Sequence, residues 1–77
     1  MRMLHLAGHV LVPRGEIVGL FDLDTATVSK HTRDFLRRAQ NENAVAAAGE
    51  ELPQSFIVTP ERVYLTSQST ANLAKRL

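Results

Sequence analysis

The sequence predicts a small α+β domain in which a mostly antiparallel sheet packs with two helices. Three observations predict this class: short runs rich in Val, Ile and Phe are separated by glycine and proline, one longer stretch has helical spacing, and a second helical stretch ends the chain. The expected order is β-β-β-α-(β)-β-β-α, in which the bracketed strand could equally be an extended connection. With 77 residues, we expect a single domain over residues 1–77.

The composition is that of a folded protein with a thin core. Apolar residues make up 44% of the chain and charged residues 22%. A domain of this size buries only about 60% of the surface that its unfolded chain exposes. There is no cysteine to form a disulfide or a thiolate metal site, so self-association is the remaining common remedy. No signal peptide or membrane-length apolar run is present, and we expect a cytoplasmic protein. The net charge of +1 alone does not indicate nucleic-acid binding.

Three strands are expected in the first part of the chain. Residues 3–6 and 9–12 are two short β-rich runs, separated at residues 7–8 by a glycine-containing turn. A second turn at residues 13–15 leads into a strand over residues 16–22. The third strand is apolar on both faces, with Ile17 and Phe21 on one and Val18 and Leu20 on the other. This pattern predicts a central strand, one of whose covering layers could come from a neighbouring subunit.

A helix is expected over residues 28–41, with N-cap oxygens offered by Asp24, Thr25 or Thr27. The side chains clustered on its apolar face are Val28, Thr32, Phe35, Leu36 and Ala39. The basic side chains on the other side are Lys30, Arg33, Arg37 and the neighbouring Arg38. The pattern predicts an amphipathic helix with a basic outer surface.

A hairpin is the clearest feature of the second half. Residues 43–48 form the alanine-rich stretch that could be an edge strand or a connection, and residues 55–59 and 62–66 flank Pro60-Glu61 as two β-rich runs. The side chains expected to share a buried face are Phe56, Val58, Val63 and Leu65. Arg62 and Tyr64 alternate with them, so we expect both to point away from the core, toward solvent or a neighbour.

The last element is a short helix capped by Ser67 or Ser69. Leu73 and Leu77 lie four residues apart on it. Lys75 and Arg76, near its end, would complement the negative end of its dipole.

No constellation of residues indicates catalysis. His5, His9, Asp22 and Asp24 lack the spacing of any known metal motif, and glycine separates the two histidines. Ser67, Ser69 and Thr70 have no nearby histidine and are better explained by helix capping. A glycine-rich phosphate loop is absent from the sequence as well. We therefore expect a non-enzyme with no catalytic residues, metal, cofactor or small-molecule substrate.

Three stretches of the chain resemble a known family. They are residues 13–22 (PRGEIVGLFD), residues 34–38 (DFLRR), and residues 54–59 (QSFIVT) continued through Tyr64 to Lys75-Arg76. In this order they resemble the RemA/RemB-type extracellular matrix regulatory proteins, and the RemB branch most closely. The resemblance covers essentially the whole chain.

This resemblance implies a transcription regulator of extracellular-matrix genes in bacterial biofilms. Such a protein is cytoplasmic and nucleoid-associated, forms a ring-like homo-oligomer built on dimers, and binds the phosphates of double-stranded DNA through its basic outer surface. Repeating a modest basic patch around a ring would raise the overall affinity, which reconciles this function with the low net charge. A paralogous regulator could be a further partner.

The family's DNA contacts can be placed on this chain only in part. Arg14 matches the family's arginine in the turn before the third strand, with Glu16 following it. In the loop before the hairpin, Glu50 and Glu51 stand where the RemA branch has arginines, and carboxylates repel phosphates. The predicted DNA-binding residues are Arg14, Lys30, Arg33, Arg37 and Arg38, and the predicted oligomer-interface residues are Val18, Leu20, Arg62 and Tyr64.

Plainer interpretations of the same residues stay open. Arg14 could be a solvated turn residue, and the basic side of the first helix could be an ordinary solvated face. An oligomeric protein-interaction module with weak or no DNA binding is the alternative function, using an exposed sheet edge and the acidic loop at residues 50–51.

Overall fold

The computed structural model describes residues 2–7, 10–49 and 51–77. The predicted turn glycine Gly8, the metal candidate His9 and the loop residue Glu50 lie outside this description. The elements in chain order are β1 (Met3–Ala7), β2 (Val10–Pro13), a 3-10 turn (Arg14–Glu16), β3 (Gly19–Asp22), α1 (Leu23–Ala26), α2 (Lys30–Asn41), β4 (Val45–Ala48), β5 (Ser55–Val58), β6 (Val63–Thr66) and α3 (Thr70–Lys75). The predicted α+β class is confirmed.

The strands form two sheets rather than the one that the sequence predicts. β1 and β2 pair as an antiparallel hairpin, while the other strands form a four-stranded sheet in the order β3-β5-β6-β4. The pairs β3-β5 and β5-β6 are antiparallel, and β4 runs parallel to β6. The alanine-rich stretch is therefore an edge strand.

Layers cover both faces of the four-stranded sheet. One face packs against the β1-β2 hairpin and α3, in a core formed by Leu4, Leu6, Val12, Ala48, Ile57 and Leu73. The other face packs against α1 and α2, in a core formed by Ala39, Phe56 and Val63 with half-buried neighbours that include Leu36, Val58 and Leu65. The predicted shared face of Phe56, Val58, Val63 and Leu65 is confirmed. The middle strands are buried on their other face too, where Ile57 is fully buried.

The third strand departs most from its prediction. It begins at Gly19 because Arg14–Glu16 form a 3-10 turn, and it lies at the edge of the sheet rather than in its centre. Ile17 packs in the same core as Leu20, not with Phe21. Phe21 instead stacks on Phe56, with ring centroids 5.1 Å apart.

The helical region divides into two helices, which makes three helices in the described part of the chain against the two predicted. Asp22 caps α1 by accepting hydrogen bonds from the amides of Asp24 and Thr25 at 2.9 and 3.2 Å. The caps predicted for the longer helix at Asp24, Thr25 or Thr27 are wrong, because Ser29 takes the N-cap position of α2. α2 starts after Ser29, whose side chain makes no capping hydrogen bond. Val28 precedes α2 and is 79% exposed, contrary to its predicted place on the apolar face.

α2 ends in a left-handed turn that sends the chain into β4. Asn43 has φ of 57°, a conformation that asparagine tolerates better than most residues. The amide of Ala44 donates to the carbonyl of Ala39 at 2.8 Å, and the amide of Asn43 donates to the carbonyl of Gln40 at 3.0 Å. This pair of bonds is the Schellman arrangement, which satisfies the last carbonyls of the helix.

α3 confirms its predicted cap and its inner leucine. Ser69 accepts a hydrogen bond from the amide of Asn72 at 3.2 Å, and Leu73 is fully buried. Leu77 lies beyond the end of the helix and is 47% exposed. No helix in the described ranges is long and apolar enough to cross a membrane.

Candidate nucleic-acid interface

The outer surface of α2 carries four exposed basic side chains. They are Lys30, Arg33, Arg37 and Arg38, as the sequence predicts. Lys30 Nζ lies 2.9 Å from Asp34 Oδ2 and Arg37 Nη1 lies 3.7 Å from Asp34 Oδ1, so one carboxylate is shared by two cations. Ion pairs this exposed are weak and are screened by salt. The surface therefore keeps an excess of positive charge.

Arg33 has a local partner but not an acidic one. Its Nη1 donates to the carbonyls of Thr27 and Val28 at 2.7 and 2.9 Å, which fixes the connection between α1 and α2. A guanidinium has five N–H donors, so further donors stay available to an anion. The first turn of α2 contains no acidic residue. Cations near a helix N-terminus interact unfavourably with the positive end of the helix dipole. An anion bound there would offset this repulsion.

Arg14 belongs to the opposite layer of the molecule. It is half-buried in the 3-10 turn, where its Nη2 donates to the backbone carbonyl of Arg76 at the end of α3. Its Nε is buried without a hydrogen-bond partner among the described residues. The sheet separates this layer from α2, so the predicted DNA-binding residues do not form one continuous surface on a single chain.

A polar network that the sequence did not predict surrounds this contact. Arg76 donates from Nη1 to Gln68 Oε1 at 2.7 Å and from Nη2 to the carbonyl of His5 at 2.6 Å. Gln68 in turn donates to the carbonyl of Leu6 at 2.8 Å. The Arg76 guanidinium, at the C-cap of α3, thus also joins α3 to β1, and Arg14 donates to the Arg76 carbonyl. Hydrogen bonds between residues this far apart along the chain leave no periodic pattern in the sequence from which they could be predicted.

Replacing Arg14 with alanine is expected to lower the free energy of unfolding by about 1–3 kcal/mol, because the Arg76 carbonyl would lose a charged donor. Urea denaturation measures this change, with Arg38→Ala as the matched control. Arg38 makes no ion pair in the described part of the chain and is exposed, so its replacement should cost much less. Equal stability of the two variants would contradict a structural role for Arg14.

The predicted interface residues lie in different environments. Val18 is 72% exposed beside the edge strand, and Arg62 is exposed next to the β5-β6 turn. Leu20 and Tyr64 are half-buried and pack against the core under the β1-β2 hairpin. The expectation that Tyr64 points away from the core is wrong, because β6 lies inside a sheet that is covered on both faces.

The other candidates have structural roles or no grouping. Asp22 caps α1 and Ser69 caps α3. Within the described ranges, no three His, Cys, Asp or Glu side chains come together as metal ligands would. In the loop before β5, Glu51 and Leu52 are exposed, Leu52 by 88%.

The fold and the site define a small α+β protein that presents a basic helix on one side of a four-stranded sheet. No family model matches the sequence. Extracellular matrix regulatory protein B of Bacillus subtilis (strain 168) is 30% identical to it over 73 residues, which are 95% of this chain and 86% of that protein. The chain belongs to the extracellular matrix regulatory protein B family, and the resemblance to the RemB branch is confirmed.

Proposed function

We propose that this protein regulates extracellular-matrix genes by binding the phosphates of duplex DNA. The observation that carries the proposal is the exposed basic surface of α2, where four cations have only Asp34 as an ion-pair partner in the described structure. The name of the Bacillus subtilis relative, an extracellular matrix regulatory protein, supports the matrix-regulatory role. The protein acts by binding rather than by catalysis, in the cytoplasm and near the nucleoid.

A homo-oligomer supplies the affinity that one subunit lacks. A single α2 offers few phosphate contacts, and each contact contributes through the release of counterions. Subunits joined in a ring-like assembly would hold several copies of α2 at a high effective concentration along the DNA. Arg14 lies on the opposite layer of the subunit, so any phosphate contact from its remaining donors would be separate from the surface of α2. A paralogous regulator could join the assembly.

The alternative is an oligomeric protein-interaction module with weak or no DNA binding. The exposed loop before β5 favours it, since Leu52 is 88% exposed beside Glu51. An apolar side chain next to a carboxylate suits a basic protein surface better than a phosphate backbone.

A salt series of binding to labelled duplex DNA tests the proposal. The wild type should bind with an affinity that falls steeply as salt rises, and the triple variant Arg33→Ala/Arg37→Ala/Arg38→Ala should lose about 0.9 units of log-log slope for each phosphate contact removed. Fluorescence anisotropy measures both, at an oligomeric state checked by light scattering.

Lys75→Ala is the matched control, since Lys75 is an exposed cation on the opposite layer of the chain. It should leave the slope nearly unchanged. Wild-type protein that fails to bind duplex DNA even at low salt would overturn the proposal and favour the protein-interaction module. If Glu51→Arg then restored DNA binding, the acidic loop before β5 would be the reason that the wild type does not bind.

A further inference from the structure

A cleft lies between the C-terminal end of α2 and the turn that joins β5 to β6. Its volume is about 290 Å³, and it shares only Arg38 with the basic surface of α2. Its apolar lining includes Phe35, which is 36% exposed, and the buried residues Ala39 and Val63. Clefts of about 300–1,000 Å³ hold drug-sized ligands, so this cleft suits a smaller molecule with an apolar part.

Charged side chains of both signs line the same cleft. α2 contributes Arg38 and Glu42, and the β5-β6 turn contributes Glu61 and Arg62. All four are exposed, and in the described part of the chain none of them forms an ion pair. The two positive and two negative charges of the lining therefore balance, while each lacks an ion-pair partner within the protein.

Hydrogen bonds fix the turn side of the cleft. The Thr59 amide and Thr59 Oγ1 donate to the carbonyl of Arg62 at 2.9 and 2.8 Å, and Thr59 Oγ1 accepts from the Arg62 amide at 3.2 Å. The Val63 amide donates to the carbonyl of Ala44 at 2.8 Å, which ties the turn to the chain that leaves α2. A cleft whose walls are already ordered loses little conformational entropy when a ligand binds.

The end of α2 favours a ligand cation on one side of the cleft. Glu42 is the C-cap residue of α2. The C-terminus of a helix carries the negative end of the helix dipole, which disfavours a carboxylate and favours a cation. A cation bound beside Glu42 would offset this repulsion, and Arg38 and Arg62 could bind an anionic group of the same ligand.

We propose that the cleft binds a free α-amino acid with an apolar side chain, such as leucine. The ligand carboxylate binds the guanidinium groups of Arg38 and Arg62. The ligand ammonium group binds the carboxylates of Glu42 and Glu61, and the ligand side chain packs against Phe35. The site itself depends neither on DNA binding nor on oligomerisation.

A zwitterion fits this lining better than a ligand of one charge. A phosphate or a nucleic acid would meet two carboxylates, and a polyamine would meet two guanidinium groups. An uncharged ligand would remove water from the four charged groups without giving them a partner. An amino acid pairs with both signs and carries an apolar side chain for the remaining lining.

Arg38 connects the cleft with the proposed function. It belongs to the basic surface of α2, so a ligand carboxylate bound to it would leave one cation fewer for phosphates. Saturating leucine should therefore lower the log-log salt slope of DNA binding by about 0.9. This consequence rests on the proposed function, whereas the amino-acid site does not.

Titration followed by two-dimensional NMR tests the site in the absence of DNA. Leucine should shift the amide signals of Glu42, Glu61 and Arg62 in a saturable way, with a dissociation constant of about 1 mM, as expected of a small ligand in an open cleft. Isopentylamine lacks the carboxylate of leucine, and 4-methylpentanoate lacks its ammonium group. Each analogue should bind about 10-fold more weakly than leucine, because charge-assisted hydrogen bonds are lost.

Two variants locate the ligand. Arg62→Ala should weaken leucine binding about 10-fold without loss of the fold, because the turn uses only backbone groups of Arg62. Glu42→Gln should weaken leucine binding by a similar factor, but it should not weaken the binding of 4-methylpentanoate. Arg2→Ala is the matched control, since Arg2 is an exposed arginine outside the cleft, and it should bind leucine as the wild type does.

The outcomes separate the site from the proposed function. Absence of saturable shifts, equal binding of leucine and either analogue, or full leucine affinity in Arg62→Ala would each overturn the site. The proposed function would stand in these cases, because DNA binding is measured without the amino acid. Leucine binding by a protein that does not bind DNA would support the site and overturn the proposed function. An unchanged salt slope with leucine bound would overturn only the connection through Arg38.

Discussion

Phe56→Ala is expected to lower the free energy of unfolding by about 3–5 kcal/mol, enough to leave much of the protein unfolded at room temperature. Phe56 is 2% exposed on a middle strand of the sheet, in the core under α2. Truncating it removes the ring that supports Phe21 and opens a cavity between the sheet and α2. Urea denaturation followed by circular dichroism measures the loss.

Phe21→Ala is the matched control for this prediction. The two rings stack on each other at an angle of 20°, but Phe21 is 43% exposed on the edge strand. Removing the Phe21 ring loses less buried apolar area than removing the Phe56 ring. The free energy of unfolding of a single chain should therefore fall much less. Equal losses for the two variants would mean that the core does not centre on β5.

Elements governed by local pattern were predictable from the sequence. The hairpin of β5 and β6 follows from alternating apolar residues around Pro60-Glu61. A serine cap at Ser67 or Ser69 follows from the hydroxyls at the start of a helical stretch, and the structure places it at Ser69. Both depend on neighbours within a few positions along the chain. The basic face of α2 follows from helical spacing in the same way.

Features that depend on which strands become neighbours were not predictable. Two apolar faces predicted that β3 lies centrally, but strand order is a tertiary property and β3 lies at an edge. For the same reason, Tyr64 alternates with buried residues and is still half-buried, since a second layer covers its face. A period of two separates the two faces of a strand but does not reveal whether both are covered.

In the candidate site too, features set by local sequence pattern were predictable and features set by tertiary contacts were not. Residue type and spacing placed the four cations of α2 on an exposed surface. They did not reveal that Arg14 bonds to Arg76, a residue that is 62 positions away along the chain. A family resemblance assigns Arg14 to DNA, whereas the folded chain also gives it a structural partner. Any loss of DNA binding in Arg14→Ala must therefore be compared with the change in the free energy of unfolding of the same variant.

Leu73→Ala has the second largest expected effect, a loss of about 2–5 kcal/mol in the free energy of unfolding. Leu73 is fully buried and is the one residue of α3 in the core under the β1-β2 hairpin. A two-stranded hairpin is marginal without a packed partner, so loosening α3 should also release β1 and β2. Leu77→Ala removes the same side chain at a position that is 47% exposed, and it should lower the free energy of unfolding by less than about 1 kcal/mol.

Amide exchange adds a second measurement: in Leu73→Ala, protection should fall first in β1, β2 and α3, because the Arg14 and Arg76 contacts hold these elements together. Uniform loss of protection across the sheet instead would show that α3 and the hairpin are not a separate cooperative layer.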